Sequence, residues 1–282
     1  LAMALHIDWS YQDQLIFLPI GISFYTLSAI GYMADVYWGK VKAEYSLVKT
    51  ALFLGFFPVI VEGPICRWED VEDTLFKNES VKAENVFKGC YRIIWGLFKK
   101  MIIADRLAVL VDKVYVGYES YSGAVIVAAA ISYTIQLYME FSGCMDMVIG
   151  SAGLFGIRLP ENFSQPFLAK TCTDFWKRWH ITLGIWFKNY IFYPVSISKT
   201  ARKWNKFTRK HFKGDFGKYV ARMGIAAMAL FPVWISNGLW HGPKWNYIFY
   251  GLYYFGLIFM GLALEPIRDR ILAVLHINPE CI

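Results

Sequence analysis

The sequence predicts an all-α, polytopic integral membrane protein, because of its composition, its long uncharged stretches and the distribution of its charges. Hydrophobic residues make up 56% of the 282 residues and charged residues only 18%, whereas an average soluble domain carries about a quarter charged residues. The net charge is +7, as expected when Lys and Arg concentrate in the cytoplasmic loops of a membrane protein. The composition disfavours a disordered chain, a coiled coil and a nucleic-acid-binding module, so no nucleic-acid partner is expected.

Uncharged stretches predict the spanning helices, since about 20 apolar residues cross the hydrocarbon core. Four stretches are long enough, namely residues 14–34, 120–139, 223–243 and 245–264. Shorter or mixed stretches are expected to form re-entrant or interfacial helices, namely residues 50–61, 89–98 and 147–157. We expect one membrane domain over residues 1–282. Because the chain starts at Leu1, we also expect it to be part of a longer protein.

One segment is strongly basic. Residues 199–222 contain nine Lys or Arg and one acid, Asp215. By the positive-inside rule we expect this segment to be a cytoplasmic loop of a multi-pass protein of the inner (plasma) membrane.

The cysteines indicate neither a disulfide framework nor a metal site. Five of them lie at positions 66, 90, 144, 172 and 281, without a Cys-x-x-Cys pair or regular spacing. We therefore expect no metal site.

Ionisable side chains inside apolar stretches are costly unless they have a partner or line a cavity. Asp146 is the clearest example. The sequence offers Arg158 as one possible partner, but spacing cannot distinguish a structural ion pair from a functional group.

The first histidine segment spans residues 171–190. Thr171 followed by Asp174 is a helix-start signal, and a continuous helix is expected from there. On such a helix, one face carries an aromatic-rich stripe of Phe175, Trp179, Thr182 and Trp186. His180 lies on the adjacent face with Gly184 one turn later. Spacing alone favours a structural histidine over a catalytic one.

The second histidine segment spans residues 234–245. Asn237 and His241 are one helical turn apart, so the amide could orient the imidazole or bind a substrate oxygen. Gly242 and Pro243 should end this helix. A histidine beside such a break could serve as the reacting group in a tunnel. It could equally be an interfacial histidine beside Trp240 and other belt residues.

Four motifs occur in order along the chain, namely residues 138–150 (YMEFSGCMDMVIG), 154–163 (LFGIRLPENF), 174–180 (DFWKRWH) and 237–242 (NGLWHG). Together they resemble the membrane-bound O-acyltransferase family, in particular its branch with alginate O-acetyltransferases and the D-alanyl transfer protein of teichoic acid modification. The resemblance covers roughly residues 15–260. Glu140 departs from it, since Asp is common at that position. The resemblance implies helices around a transmembrane tunnel, with His241 as the catalytic histidine and His180 lining the same tunnel.

The resemblance also implies a reaction. An acyl group, most simply acetyl, would pass from a cytoplasmic thioester (acetyl-CoA or an acyl carrier) to a hydroxyl of an extracytoplasmic polysaccharide, directly or through a relay acetyltransferase protein. The thioester is a substrate, and no bound cofactor is expected. We expect Asn237, Asp146, Trp240 and Trp179 to position the substrates around the catalytic pair, His241 and His180.

Two alternatives remain open at the level of sequence. One is D-alanyl transfer to teichoic acid. The other is a proton-coupled transporter of an envelope lipid or sugar, with His180, His241 and Asp146 as a proton path. A transporter should carry inverted repeats, and the sequence has none that we can detect.

Overall fold

The computed structural model describes residues 21–77 and 80–276, and it confirms the all-α prediction. Within these residues the regular structure consists of α-, π- and 3₁₀-helices, without a β-strand. Backbone contacts divide the described chain into two compact units, residues 21–164 and residues 165–276.

The first unit contains seven α-helices. They are α1 (Ile22–Tyr37), α2 (Leu47–Leu54), α3 (Phe57–Ile60), α4 (Trp68–Leu75), α5 (Ala83–Leu97), α6 (Asp105–Val116) and α7 (Gly123–Leu154). A π-helical segment, Phe98–Ala104, joins α5 to α6. Buried side chains of α2, α4 and α7, among them Phe53, Trp68 and Ile149, form the core of this unit.

Glycines allow α5 and α7 to pack backbone to backbone. Gly89 faces Gly150 and Gly96 faces Gly143, so the two helices run antiparallel. A Cβ on Gly150 would lie 2.8 Å from the carbonyl oxygen of Gly89, and a Cβ on Gly143 would lie 2.8 Å from that of Gly96. Close approach through small residues is the usual way in which helices associate in a membrane.

The second unit contains six α-helices. They are α8 (Cys172–Arg178), α9 (Ile181–Phe187), α10 (Tyr193–Ser196), α11 (Lys199–His211), α12 (Gly214–His241) and α13 (Trp245–Val274). A π-helical segment, Lys188–Phe192, joins α9 to α10. The long helices α12 and α13 form an antiparallel hairpin, in which Gly238 lies against the backbone of Tyr247 and Gly251 against that of Trp234.

Three helices of the described chain are long and apolar enough to span a membrane, namely α7, α12 and α13. They confirm the helices expected at residues 120–139, 223–243 and 245–264. The stretch expected at residues 14–34 falls partly outside the described residues, and its described part belongs to α1.

One expectation about helix boundaries is wrong. Residues 147–157 are not a separate interfacial helix, because α7 continues to Leu154. The basic residues 199–222, expected to be a cytoplasmic loop, form α11, a short turn and the first turns of α12, and the side of the membrane on which they lie stays a prediction. Small and apolar side chains recur along one face of this basic sequence, and they pack α11 onto α12.

Candidate active site

The helical backbone is interrupted at His180, between α8 and α9. The predicted start is confirmed, since the Thr171 hydroxyl accepts a hydrogen bond from the Asp174 backbone N–H at 3.0 Å. Arg178 also holds the pKa of the Asp174 carboxyl below its usual value. However, α8 ends at Arg178, and His180 adopts a left-handed conformation with φ 47° and ψ 54°. The prediction of one continuous helix through His180 is therefore wrong.

The break divides the predicted aromatic stripe between α8 and α9. A left-handed conformation costs an L-residue about 1–2 kcal/mol, so tertiary contacts must compensate for it. His180 is only 5% exposed, and its ring centroid lies 5.8 Å from that of Trp240. Burial and, second, the proximity of His241 lower the pKa of His180, so this imidazole is neutral near pH 7.

His241 is the last residue of α12, as the sequence predicts. Gly242 follows with φ 146°, outside the range that other residues readily adopt. The ring of His241 lies 4.9 Å from Trp240 and 5.7 Å from Tyr250, and it stacks on Tyr247 at 6.1 Å, measured between centroids. In contrast to His180, His241 is exposed.

Trp240 contacts both imidazole rings. Two histidines that are 61 positions apart in the sequence are thereby brought to one place. This juxtaposition is the strongest feature of the candidate site.

Asn237 lies one turn before His241 on α12, as predicted, and is 7% exposed. Its Oδ1 is buried and accepts no hydrogen bond within the described part of the chain. A buried amide oxygen without a donor costs about 1–3 kcal/mol. Such an atom is therefore suited to accept a hydrogen bond from a substrate.

A cluster of aromatic side chains lies next to the histidines. Trp176 contacts Trp234 at 5.0 Å and Tyr254 at 4.9 Å, and Tyr250 contacts Tyr254 at 5.0 Å. Sequence reasoning missed the tyrosines because they lie in the uniformly apolar stretch that forms α13. The available signal was the spacing of Tyr247, Tyr250 and Tyr254, which places all three on one helical face.

The two remaining candidates are Trp179 and Asp146. Trp179 directly precedes the break at His180 and stacks on Phe175, with centroids 5.7 Å apart. Asp146 belongs to the other compact unit, so the described structure does not join it to the histidine pair. Its role as a substrate-positioning residue stays a prediction.

Asp146 is the centre of a charge cluster. Its carboxylate accepts from Arg92 Nε at 3.0 Å and from Lys99 Nζ at 2.7 Å. Arg92 also forms a two-pronged ion pair with Glu161, at 2.7 and 2.6 Å. Arg92 and Lys99, not Arg158, are thus the partners that the structure provides, because α5 packs directly on α7.

Metal ligands do not gather in the described residues. No group of three or more His, Cys, Asp or Glu side chains in residues 21–77 and 80–276 could hold a metal ion. The expectation that no metal takes part stays a prediction.

These features define a helical membrane protein with two histidines at the end of a spanning helix. The chain belongs to the membrane-bound O-acyltransferase family, since the model of that family matches residues 41–209. The matched part includes Asp146, Trp179 and His180. It ends before Asn237, Trp240 and His241.

Three curated relatives illustrate the similarity. A probable alginate O-acetylase of Pseudomonas putida is 36% identical over 239 residues, which are 85% of this chain and 44% of the relative. A peptidoglycan O-acetyltransferase of Helicobacter pylori is 32% identical over 272 residues, covering 86% of this chain and 47% of the relative. A teichoic acid D-alanyltransferase of Bacillus subtilis is 29% identical over 241 residues, covering 83% and 56%. The chain spans less than half the length of the alginate O-acetylases that it matches.

Proposed function

We propose that this chain is the catalytic part of an O-acyltransferase that moves an acetyl group from a cytoplasmic thioester to a hydroxyl of a cell-envelope polysaccharide. The proposal rests on one observation. The rings of His180 and His241 both contact Trp240, at the end of a helix that is long and apolar enough to span a membrane. Membership of the acyltransferase family supports the proposal. So does the higher identity to O-acetyltransferases (36% and 32%) than to a D-alanyltransferase (29%).

His241 acts as the general base. His241 is exposed and is therefore more accessible to an incoming hydroxyl than His180, which is buried. His241 removes the hydroxyl proton as the oxygen attacks the thioester carbonyl, the new C–O bond forms and the C–S bond breaks. The imidazolium then returns the proton to the leaving thiolate. General-base assistance of this kind contributes about 10²–10⁴-fold to a rate.

His180 and Asn237 position the reactants. The neutral ring of His180 has one N–H donor, which can stabilise the negative charge that develops on the carbonyl oxygen. The free acceptor Oδ1 of Asn237 can hold the attacking hydroxyl or orient the imidazole one turn away. Trp240 fixes the distance between the two histidines, because it contacts both rings.

The position of His241 along α12 bears on how substrates arrive. Eighteen charge-free residues separate the basic start of α12 from His241, a rise of about 27 Å at 1.5 Å per residue. This length is close to the hydrocarbon thickness of about 30 Å. If the basic end faces the cytoplasm, His241 lies near the outer face of the inner membrane, where it meets the polysaccharide acceptor or a relay acetyltransferase protein. The thioester end of the cytoplasmic donor then has to reach through the protein to His241, since the acyl group leaves its thiol only in the step at His241.

The test uses the full-length protein in its own cells, or in a deletion strain that expresses each variant. Ester-linked groups are released from the envelope by mild base and quantified by mass spectrometry, for the wild type and for His241→Ala. His276→Ala is the matched control, because His276 is an exposed histidine near the end of the described chain. Membrane levels of each variant are measured by immunoblot.

We expect released acetate to fall to background in His241→Ala and to stay at the wild-type level in His276→Ala. Loss of released D-alanine instead of acetate would make the protein a teichoic acid D-alanyltransferase, in line with the relative from Bacillus subtilis. Unchanged ester groups in His241→Ala, at normal membrane levels, would contradict the proposed base.

A further inference from the structure

Helix α11 carries a cationic face that the proposed reaction does not use. Residues 199–213, which are α11 and the two residues after it, contain seven Lys or Arg and no acid, and all seven side chains are exposed. They are Lys199, Arg202, Lys203, Lys206, Arg209, Lys210 and Lys213. Within the described residues, none of the seven forms an ion pair; the nearby pairs are Lys218 with Asp215 and Arg222 with Glu265. The cationic face therefore has an unused affinity for anions.

The opposite face of α11 is fixed to α12. Ala201 and Thr208 are buried at 1% and 0% exposure. The indole of Trp204 lies on Gly224, which has no side chain to displace it, and donates a hydrogen bond from Nε1 to the Val220 carbonyl at 3.4 Å. The helix is thus held in one orientation, and its cations point away from α12.

The contacts with α12 place the cationic face at the edge of the bilayer. The charge-free part of α12 begins at Met223, and Trp204 contacts residues on both sides of that point. Near the turn, the backbone of Phe212 lies close to Gly217, so α11 runs antiparallel to the polar start of α12. The headgroup region is about 5–8 Å deep on each side of the hydrocarbon core. Long Lys and Arg side chains on α11 can reach it.

An exposed aromatic ring lies among these cations. Phe207 is 48% exposed and stacks on Trp204, with centroids 5.9 Å apart. Phe, Trp and Lys side chains on one surface helix are typical of helices that lie at a membrane interface.

We propose that α11 is a binding site for anionic phospholipid headgroups, which dock on its cationic face in the leaflet next to the start of α12. The complementarity is between seven unpaired cations and the phosphates of the leaflet. The cations form a row beside the bilayer edge and not a closed pocket, which suits a layer of headgroups better than one soluble anion. The proposed site is separate from the reaction at His241.

The test counts bound lipids on the purified full-length protein. The delipidated protein in a neutral detergent is titrated with phosphatidylglycerol or with phosphatidylcholine, and the bound molecules are counted by native mass spectrometry. The key variant replaces Lys203, Lys206 and Lys210 with Gln. A matched control replaces three exposed lysines of the other unit with Gln, namely Lys42, Lys77 and Lys113.

We expect phosphatidylglycerol to bind the wild type in preference to phosphatidylcholine. In the α11 variant its affinity should fall roughly 100-fold, at about fivefold for each cation near an anionic surface. The control should keep the wild-type affinity. A third variant that replaces the same three α11 lysines with Arg keeps the charge and should also bind. It separates lost charge from a misfolded helix.

Three results would overturn the proposal. One is equal binding of phosphatidylglycerol by the wild type and the α11 Gln variant. The second is displacement of the lipid by millimolar inorganic phosphate, which would make the site one for a free phosphate compound. The third is failure of the Arg variant to bind, which would show that the lysines act through the fold and not through their charge. None of these outcomes bears on ester formation at His241, so the two proposals can fail separately.

Discussion

The substitution Gly238→Ala tests whether the α12–α13 contact sets the geometry of the site. A Cβ at position 238 would overlap the carbonyl oxygen of Tyr247 and lie 3.1 Å from its carbonyl carbon. Favourable carbon–carbon contacts are about 3.5–4.0 Å, so the two helices must separate by roughly 0.5–1 Å. His241 lies one turn beyond Gly238, and its ring packs on Tyr247 and Tyr250. The separation therefore occurs at the site itself.

The magnitude follows from this displacement. Overpacking a well-packed contact costs about 1–3 kcal/mol, and a 1 Å misplacement of catalytic groups can reduce a rate about 10²-fold. We expect Gly238→Ala to lower the melting temperature of the purified protein and to reduce ester formation about 100-fold. Thermal unfolding in detergent and mass spectrometry of released acetate measure the two effects.

Gly256→Ala is the matched control for this experiment. Gly256 also lies in α13, but a Cβ there would meet no atom within 4 Å. We expect this variant to keep the wild-type melting temperature and activity, or to gain slightly in stability, because Ala is favoured over Gly in a helix interior by about 0.5–1 kcal/mol. The reasoning would be refuted if Gly238→Ala behaved like Gly256→Ala in both assays.

Three other substitutions test the site and its support. Asp146→Asn keeps the shape of the side chain but leaves Lys99 without its anion and Arg92 with Glu161 alone. We expect a loss of about 3 kcal/mol of stability, against no loss for the exposed Asp112→Asn, and equal melting temperatures would contradict the structural role. Asn237→Ala should reduce kcat about 10²-fold, because an attacking hydroxyl or imidazole misplaced by about 1 Å loses a rate factor of that size, whereas a rise in KM alone would limit this residue to binding. Gly143→Ala should destabilise the protein by about 1–3 kcal/mol, because its Cβ would press on the backbone of α5; retention of the wild-type melting temperature would show that α5 and α7 can separate freely.

The sequence was sufficient where a feature depends on local composition. Long uncharged stretches defined α12 and α13, and the Gly242–Pro243 pair placed the end of α12 at His241. Thr171 and Asp174 correctly marked the start of α8. Each of these signals acts within one or two helical turns, so no knowledge of distant contacts was needed.

Features that depend on distant contacts could not be read from the sequence. The residues around His180 have helical spacing, yet the backbone breaks there, because the ring is buried against Trp240, 60 positions away. Likewise, the partners of Asp146 are 54 and 47 positions away, on α5 and on the π-helical segment that follows it. The sequence suggested Arg158 as the partner of Asp146 because it is near in the chain. Sequence spacing cannot show which helices will pack together.

The glycines of the α12–α13 hairpin explain why the site and the fold are closely coupled. In a membrane, helices gain little from the hydrophobic effect when they associate, so close packing has to hold them together. Gly238 and Gly251 let the two backbones touch, and this approach also brings Tyr247 and Tyr250 against His241. A larger residue at either glycine would separate the helices and move the tyrosines from the imidazole in the same step. The residues that determine the geometry of the histidine site thus include two with no chemistry of their own, and for that reason a search for reactive side chains does not find them.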